Sequence, residues 1–325
     1  MNDFYMRLAI NEAWKYQFLT YPNPAVGCVV LDKNGKILSI SAHQKAGLEH
    51  AELNAIKHAL KALNNEFDFP KDVNDLYDFI IKNHNDLLKD AIAYVSLEPC
   101  AHHGKTPPCA RLFTSLKFKK VFISIKDENK IASGGAEFLR KNGVLVELDV
   151  LKNEGLKLIK PFLKWQKQEK FKIFKLALSL NGSAYGKIIS SIESRTYAHK
   201  IRSVIDCLII GGNTIRIDRP ILDARLANNK APNICILSKN KNFDTNIPLF
   251  SVKNREIFYE IPKEAKFLMY EGGNNFLKEF KDEMDMFLIF SNSKFDNNEN
   301  VKINLNLKPL YKGFLGEDTY GIYEL

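Results

Sequence analysis

His50-Ala51-Glu52, then Leu97-Glu98-Pro99-Cys100, then Cys109: these short stretches decide how the rest of the chain is read. One imidazole and two thiolates can hold a zinc ion while its fourth position stays open to water, and a glutamate two residues after the histidine can move protons without being a ligand. A structural zinc site normally closes with four protein ligands. Three ligands beside a glutamate therefore point to hydrolytic removal of an amine from an amidine-like carbon of a nucleobase or pyrimidine.

The local sequence supports convergence of these residues. Alanine and leucine recur at helical spacing after His50, which puts His50 and Glu52 at a helix start. Residues 91–97 read as a buried strand that delivers Cys100 at its carboxyl end, and Cys109-Ala110-Arg111 opens the next helix. Helix starts also favour the thiolate form. Glu52 is the expected catalytic residue, carrying a proton from water to the ring nitrogen and then to the departing amine. His102 and His103 are rival ligands, but coordinating beside Cys100 would strain the chain. Cys109 is preferred as the third ligand, with His102 as a substrate contact. Cys28 reads as a buried core thiol.

Working outward, residues 3–18 form an amphipathic helix, Tyr21-Pro22-Asn23-Pro24 a rigid loop, and 26–31 with 37–41 a hairpin. Residues 64–89, rich in Asn and Asp, read as a surface insertion looping outward, with Leu76, Phe79 and Ile80 on a short helix. A strand at 121–125 and a closing helix at 150–168 complete a first domain, 1–168. Strand candidates at 173–178, 207–210, 234–237, 267–270 and 286–290 lie in a second, 169–325. Alternating strands and helices indicate an α/β class with helices on both sheet faces. The length of 325 residues suits two domains, and 45% hydrophobic content is ordinary for a globular chain. No apolar run is long enough to span a bilayer and no secretory signal is visible at the start, so a cytoplasmic location is expected. Five scattered cysteines form no disulfide framework. The net charge of +9 comes from lysines spread along the chain, without the basic stripe and interleaved aromatics of a nucleic-acid binder.

His43-Gln44-Lys45-Ala46-Gly47, His50-Ala51-Glu52, Leu97-Glu98-Pro99-Cys100 and His102-His103-Gly104-Lys105-Thr106-Pro107-Pro108-Cys109 closely resemble the deaminase domain of bifunctional riboflavin-biosynthesis proteins. The spacing between the two cysteines separates that group from deaminases with Cys-x-x-Cys. The resemblance implies a cytidine-deaminase-like three-layer α/β/α domain, Zn2+ held by His50, Cys100 and Cys109, and substrate contacts from Asn23, His43, His102 and Lys105. The implied substrate is 2,5-diamino-6-ribosylamino-4(3H)-pyrimidinone 5′-phosphate, which loses its 2-amino group in the first domain.

The second half carries no Gly-x-Gly-x-x-Gly fingerprint. Gly211-Gly212 and Gly272-Gly273 each follow an apolar run, where backbone N–H groups could approach a phosphate or simply make tight turns. Arg202-Ser203-x-x-Asp206, Gly212-x-Thr214-x-x-x-Asp218-x-Pro220-x-Leu222-x-x-Arg225 and Glu271-Gly272-Gly273 resemble the same family's reductase domain. That resemblance implies a dihydrofolate-reductase-like α/β fold and NADPH reduction of the ribosyl group to ribityl. It places Ala177, Thr214, Asp218, Gly273, Asn274, Asn275 and Phe276 at the cofactor. Arg202, Leu222, Arg225 and Glu271 surround the ribosyl phosphate, and a homodimer through this domain is implied as well. Two stretches depart from the family: Ser179-Leu180-Asn181-Gly182 has Asn for Asp, and Tyr185-Gly186-Lys187-Ile188-Ile189 lacks the expected Ser and Trp. Two other readings stand beside this one. The chain could be a deaminase with a degenerate reductase domain, or a nucleic-acid deaminase with an appended binding module.

Overall fold

The computed structural model describes residues 2–102, 107–128, 133–184, 186 and 188–325. The chain divides into two compact units, Met1–Phe162 and Leu163–Leu325.

The first unit runs α1 (Asn2–Trp14), β1 (Gly27–Leu31), β2 (Ile37–Ala42), α2 (Ala51–Leu63), α3 (Val73–Asn83), β3 (Ile92–Leu97), α4 (Cys109–Ser115), β4 (Lys120–Ile125), α5 (Gly135–Lys141), β5 (Leu145–Glu147) and α6 (Lys152–Gln166). Its five strands lie in the order β2-β1-β3-β4-β5. β1 is antiparallel to both β2 and β3, while β3, β4 and β5 are parallel. β3 and β4 are near-continuous apolar runs, buried over almost their whole length, as strands covered on both faces must be. Gly27 lets α1 come down on β1: a Cβ there would lie 1.9 Å from the Ala9 carbonyl oxygen. α2 is fastened to β2 by Ser39 Oγ donating to the Ala55 carbonyl and Asn54 Nδ2 donating to the Ala42 carbonyl. These bonds fix the start of α2, where the histidine motif lies.

The 64–89 insertion does not loop outward, as the sequence suggested. It carries the short helix expected around Leu76, Phe79 and Ile80, α3, but this helix packs inward, burying Leu76, Tyr77 and Ile80, and the Tyr77 hydroxyl donates to the Pro108 carbonyl at 3.1 Å. Its sequence hides this because the partner is a backbone atom 31 residues away. The division between the units falls inside α6, between Phe162 and Leu163, where the sequence placed it near Gln168.

The second unit continues with β6 (Phe171–Leu178), α7 (Ile192–Arg202), β7 (Cys207–Gly211), α8 (Gly212–Asp218), β8 (Asn233–Leu237), β9 (Ile257–Phe258), β10 (Phe267–Glu271), α9 (Asn274–Phe280), β11 (Met286–Ser291), β12 (Lys308–Leu315) and β13 (Asp318–Glu324). Its sheet has the order β12-β13-β11-β6-β10-β7-β8-β9. The strands from β11 to β9 are mutually parallel, and β13 and β12 close one edge as an antiparallel pair. The core lies along β6, β10 and β7, where Phe171, Phe174, Phe267 and Tyr270 are fully buried. All five strands expected from the sequence are present. β9, β12 and β13 were not expected: β9 is two residues long, and β12 is a half-exposed edge strand containing Pro309 and Gly313. Among the described residues, no helix is long and apolar enough to cross a membrane.

Candidate functional site

His50 is the N-cap residue of α2 and Cys109 is the first residue of α4, so both ligands sit at helix starts, as the spacing implied. Cys100 follows the end of β3, where the Glu98 amide still pairs with the Ile125 carbonyl. Within this turn the Cys109 amide donates to Cys100 Sγ at 3.3 Å and the Ala110 amide to the Cys100 carbonyl at 3.1 Å.

The three ligand atoms lie within 4.8 Å of one another. His50 Nδ1 is 3.8 Å from Cys100 Sγ and 3.5 Å from Cys109 Sγ. Metal–ligand bonds of 2.0–2.3 Å in a tetrahedron give edges of about 3.3–3.8 Å, so one nitrogen and two sulfurs at these separations fit a zinc ion. Cys100 is held at about 4, well below the usual thiol range, by a hydrogen bond from the Cys109 thiol and then by His50. The Cys109 thiol is pushed up, first by that same bond. Burial lowers His50, but hydrogen bonding to Cys100 and the nearby negative charges outweigh it and leave the imidazole raised. Glu52 is 4% exposed, and burial pushes its carboxyl up to about 7, with His50 opposing. A carboxyl so placed carries a proton easily near neutral pH.

Two of the expected substrate contacts stand beside these ligands. Burial lowers the His43 imidazole to about 4, so the ring is neutral near pH 7. His43 Nδ1 lies 2.9 Å from the Glu49 carbonyl oxygen, which assigns the proton to that nitrogen and leaves Nε2 to accept from Asn23 Nδ2 at 3.2 Å. The His43 and His50 rings meet edge to face, with centroids 5.6 Å apart. His102 Nδ1 is buried with no hydrogen-bond partner among the described residues. Lys105 and His103 lie outside the described residues. Cys28 is fully buried and is not one of the clustered ligands.

Sequence reading missed the brace behind the turn. Glu98 is buried, and its two oxygens accept from the Asp127 and Ala136 amides at 2.9 and 2.8 Å. Gly134, at φ +100°, and Gly135 bring that segment against the turn: a Cβ on Gly135 would lie 1.8 Å from the Pro99 carbonyl oxygen. The consecutive glycines Gly134-Gly135 were the available signal.

In the second unit the expected phosphate-end residues partly converge. The Arg202 guanidinium clasps Glu271 through three bonds of 2.7–3.0 Å and donates to the Asp223 carbonyl at 3.4 Å. Burial alone would raise the Glu271 carboxyl, but Arg202 and Lys175 hold it at about 2. Lys175, which the sequence analysis did not single out, lies 3.7 Å from Glu271, and burial lowers its ammonium. A lysine inside the apolar run of β6 was the sign. Leu222 adopts a left-handed conformation, φ +54°. Its carbonyl and that of Ile221 accept from the Arg255 guanidinium, which burial lowers to about 10. Arg225 points to solvent and pairs with Asp223 at 3.0 Å, beside a cavity of about 350 Å³ that Lys230 and Lys253 also line.

The residues expected at the cofactor are less uniform. Thr214 and Asp218 lie on α8, Ala177 is on β6, and Gly273 has open space where a Cβ would project. Asn274 and Asn275 open α9, and Asn274 Oδ1 is buried with no hydrogen-bond partner among the described residues. Phe276 is engaged in packing: its ring centroid lies 4.7 Å from that of Phe280, and Cβ atoms on Gly211 or Gly272 would fall 3.1 and 2.7 Å from it. Those two glycines accommodate this ring, the plain alternative to a phosphate turn. Asn181 is a turn residue: its Oδ1 accepts from Ser179 Oγ and the Asp296 amide, and its Nδ2 donates to the Asp296 carbonyl. Tyr185 and Lys187 of the departing stretch lie outside the described residues.

Residues 1–125 match the family model of the cytidine and deoxycytidylate deaminase zinc-binding region. The riboflavin biosynthesis protein RibD of Buchnera aphidicola subsp. Baizongia pistaciae is 32% identical over 253 residues, covering 74% of this chain and 59% of that protein. RibD of Actinobacillus pleuropneumoniae is 35% identical over 235 residues, covering 70% and 56%. The chain thus spans less than two thirds of the length of the curated relatives it matches. Two solved structures cover 99% of this chain and 98% of their own, each with a TM-score of 0.64: Acinetobacter baumannii RibD, form 1, at 23% identity, and a Thermotoga maritima diaminohydroxyphosphoribosylaminopyrimidine deaminase/5-amino-6-(5-phosphoribosylamino)uracil reductase at 24%. At that identity the likeness is one of fold, and it extends over both units.

Proposed function

Because the chain belongs to the RibD family of riboflavin-biosynthesis proteins, we propose that it is a bifunctional deaminase–reductase of that pathway. The first unit removes the 2-amino group of 2,5-diamino-6-ribosylamino-4(3H)-pyrimidinone 5′-phosphate by hydrolysis. The second reduces the ribosyl group with NADPH, giving 5-amino-6-ribitylaminouracil 5′-phosphate. The observation that carries the first step is the spacing of His50 Nδ1, Cys100 Sγ and Cys109 Sγ at tetrahedral edge lengths, with buried Glu52 close enough to feel the charges of His50 and Cys100.

His50, Cys100 and Cys109 would hold zinc, which would supply the Lewis acidity that makes water a nucleophile near neutral pH. Glu52 is placed to take a proton from the attacking water, give it to the ring nitrogen beside the amine-bearing carbon, and carry a proton to the leaving amine. His43, neutral and pinned to the Glu49 carbonyl, fixes the Asn23 side chain for contact with the pyrimidine. In the second unit Arg202, held flat by Glu271, and Lys175 offer positive charge to the ribosyl phosphate end. Thr214, Asp218 and the open backbone at Gly273 line the NADPH side. Hydride transfer asks little more of side chains than positioning and exclusion of water.

Incubating the purified chain with the diaminopyrimidinone phosphate, with and without NADPH, and following mass tests both steps. Exchange of NH for O without NADPH, then addition of two hydrogens only with it, is expected. Exchange without the second change would assign the chain deaminase activity alone. No exchange, or loss of fold rather than activity on chelation, would refute the deaminase reading.

A further inference from the structure

The segment that lengthens the gap between the two halves of the metal centre is itself tied back to that centre. α3 opens on Asp72, whose carboxylate accepts from the Asn74 and Asp75 amides at 2.8 and 3.1 Å. Before it, Phe67 and Phe69 stack with centroids 5.4 Å apart, and both rings meet Phe79 edge-on. Lys61 Nζ donates to the Asn65 and Phe67 carbonyls, and Lys117 pairs with Asp86 at 2.7 Å, so the insertion is fastened at both ends. From this packed segment the Tyr77 hydroxyl reaches the Pro108 carbonyl. Pro108 is the N-cap residue of α4 and immediately precedes Cys109. The same carbonyl accepts only one other bond among the described residues, a 3.2 Å turn bond from the Arg111 amide. Tyr77 is 5% exposed. Burial raises its hydroxyl to about 12.

The geometry points to α3 as a buttress of the metal centre, with Tyr77 as a positioning residue: its bond to the Pro108 carbonyl holds the turn that aims Cys109 at the ion shared with His50 and Cys100. This rests on the zinc reading above. Tyr77 is a ligand neither to metal nor to substrate, and it acts through the backbone of its neighbour.

The test uses the full chain loaded with zinc, and separately with cobalt. Release of zinc to a chromogenic chelator and the visible thiolate-to-cobalt band are compared for wild type, Tyr77→Phe and Tyr94→Phe. The last variant removes another buried tyrosine's hydroxyl bond, from Tyr94 to Asn2 Oδ1, as a control. Tyr77→Phe is expected to release zinc about two- to tenfold faster, the range set by one net hydrogen bond, and to shift the cobalt band. Tyr94→Phe is expected to leave both unchanged. Wild-type release and an unshifted band in Tyr77→Phe would overturn the proposal, as would equal acceleration in both variants, which would mark general loosening. If Tyr77→Phe does not fold, Asp72→Ala, which removes the cap of α3 and leaves the hydroxyl, is expected to accelerate release, and a wild-type rate there would overturn the proposal too. A wild-type chain that takes up neither ion refutes the zinc reading itself, before any substitution is compared.

Discussion

Replacing Glu271 with Gln strips the charge from a pair whose partner cannot escape. Arg202 and Glu271 have side-chain exposures of 11% and 13%, and the three bonds between them leave the guanidinium no comparable acceptor. Arg202 and Lys175 move the Glu271 carboxyl from 4.5 to about 2. At 1.36 kcal/mol per unit that is roughly 3 kcal/mol of native stability, and removing one partner of a buried pair costs about 3–5 kcal/mol by general experience. The two figures agree. Because the folded-state value is depressed, the contribution is complete above pH 4.5 and is lost as pH falls towards 2. The stability gap between wild type and Glu271→Gln should therefore be on the order of 3 kcal/mol at pH 7 and shrink to roughly half of that or less at pH 3. Urea unfolding followed by tryptophan emission measures it. The chain has two tryptophans, and in a Trp14→Phe background only Trp165 emits, in the second unit beside Phe171 and Phe267. A gap under about 1 kcal/mol at pH 7, or one that does not narrow with acid, would refute the claim that this pair is a buried, charge-dependent clasp.

Glu52→Gln should keep one metal per chain and lose about a hundredfold or more in ammonia release, measured by metal analysis and a coupled ammonia assay; turnover at the wild-type rate would remove Glu52 from the proton path. Gly135→Ala pushes a methyl group to 1.8 Å from the Pro99 carbonyl oxygen. The turn must shift, at a cost of about 1–3 kcal/mol or more, with a lower melting temperature and lower zinc content; an unchanged melting curve would contradict the close approach. Asn23→Ala should raise KM for the pyrimidine more than it lowers kcat, because Asn23 and His43 are assigned to binding, and a pure kcat loss would count against that assignment.

The metal centre was legible because each ligand carries a local signal. His50 and Cys109 stand where helical periodicity begins, and Cys100 ends an apolar run, so secondary structure alone brings them near one another. What holds them was hidden. Glu98 and Tyr77 act on backbone atoms, and an amide or a carbonyl has no letter in a sequence. In the second unit the buried strands were readable from continuous apolar runs, whereas β12, half-exposed with Pro309 and Gly313, resembles a loop in composition. Phe276, placed at the cofactor by resemblance, packs against its own neighbours, a contact that the sequence does not announce.

Glu98 and Glu52 are both buried acids near the same turn, yet they are not interchangeable. Each Glu98 oxygen accepts from a main-chain amide, so this carboxylate is engaged in holding backbone in place. A genetic screen for second-site suppressors of a Glu52 defect should therefore never recover its neighbour as a substitute. Losing Glu98 would instead release two stretches of backbone at once, so the same side-chain chemistry serves as a courier at one address and as mortar at the other.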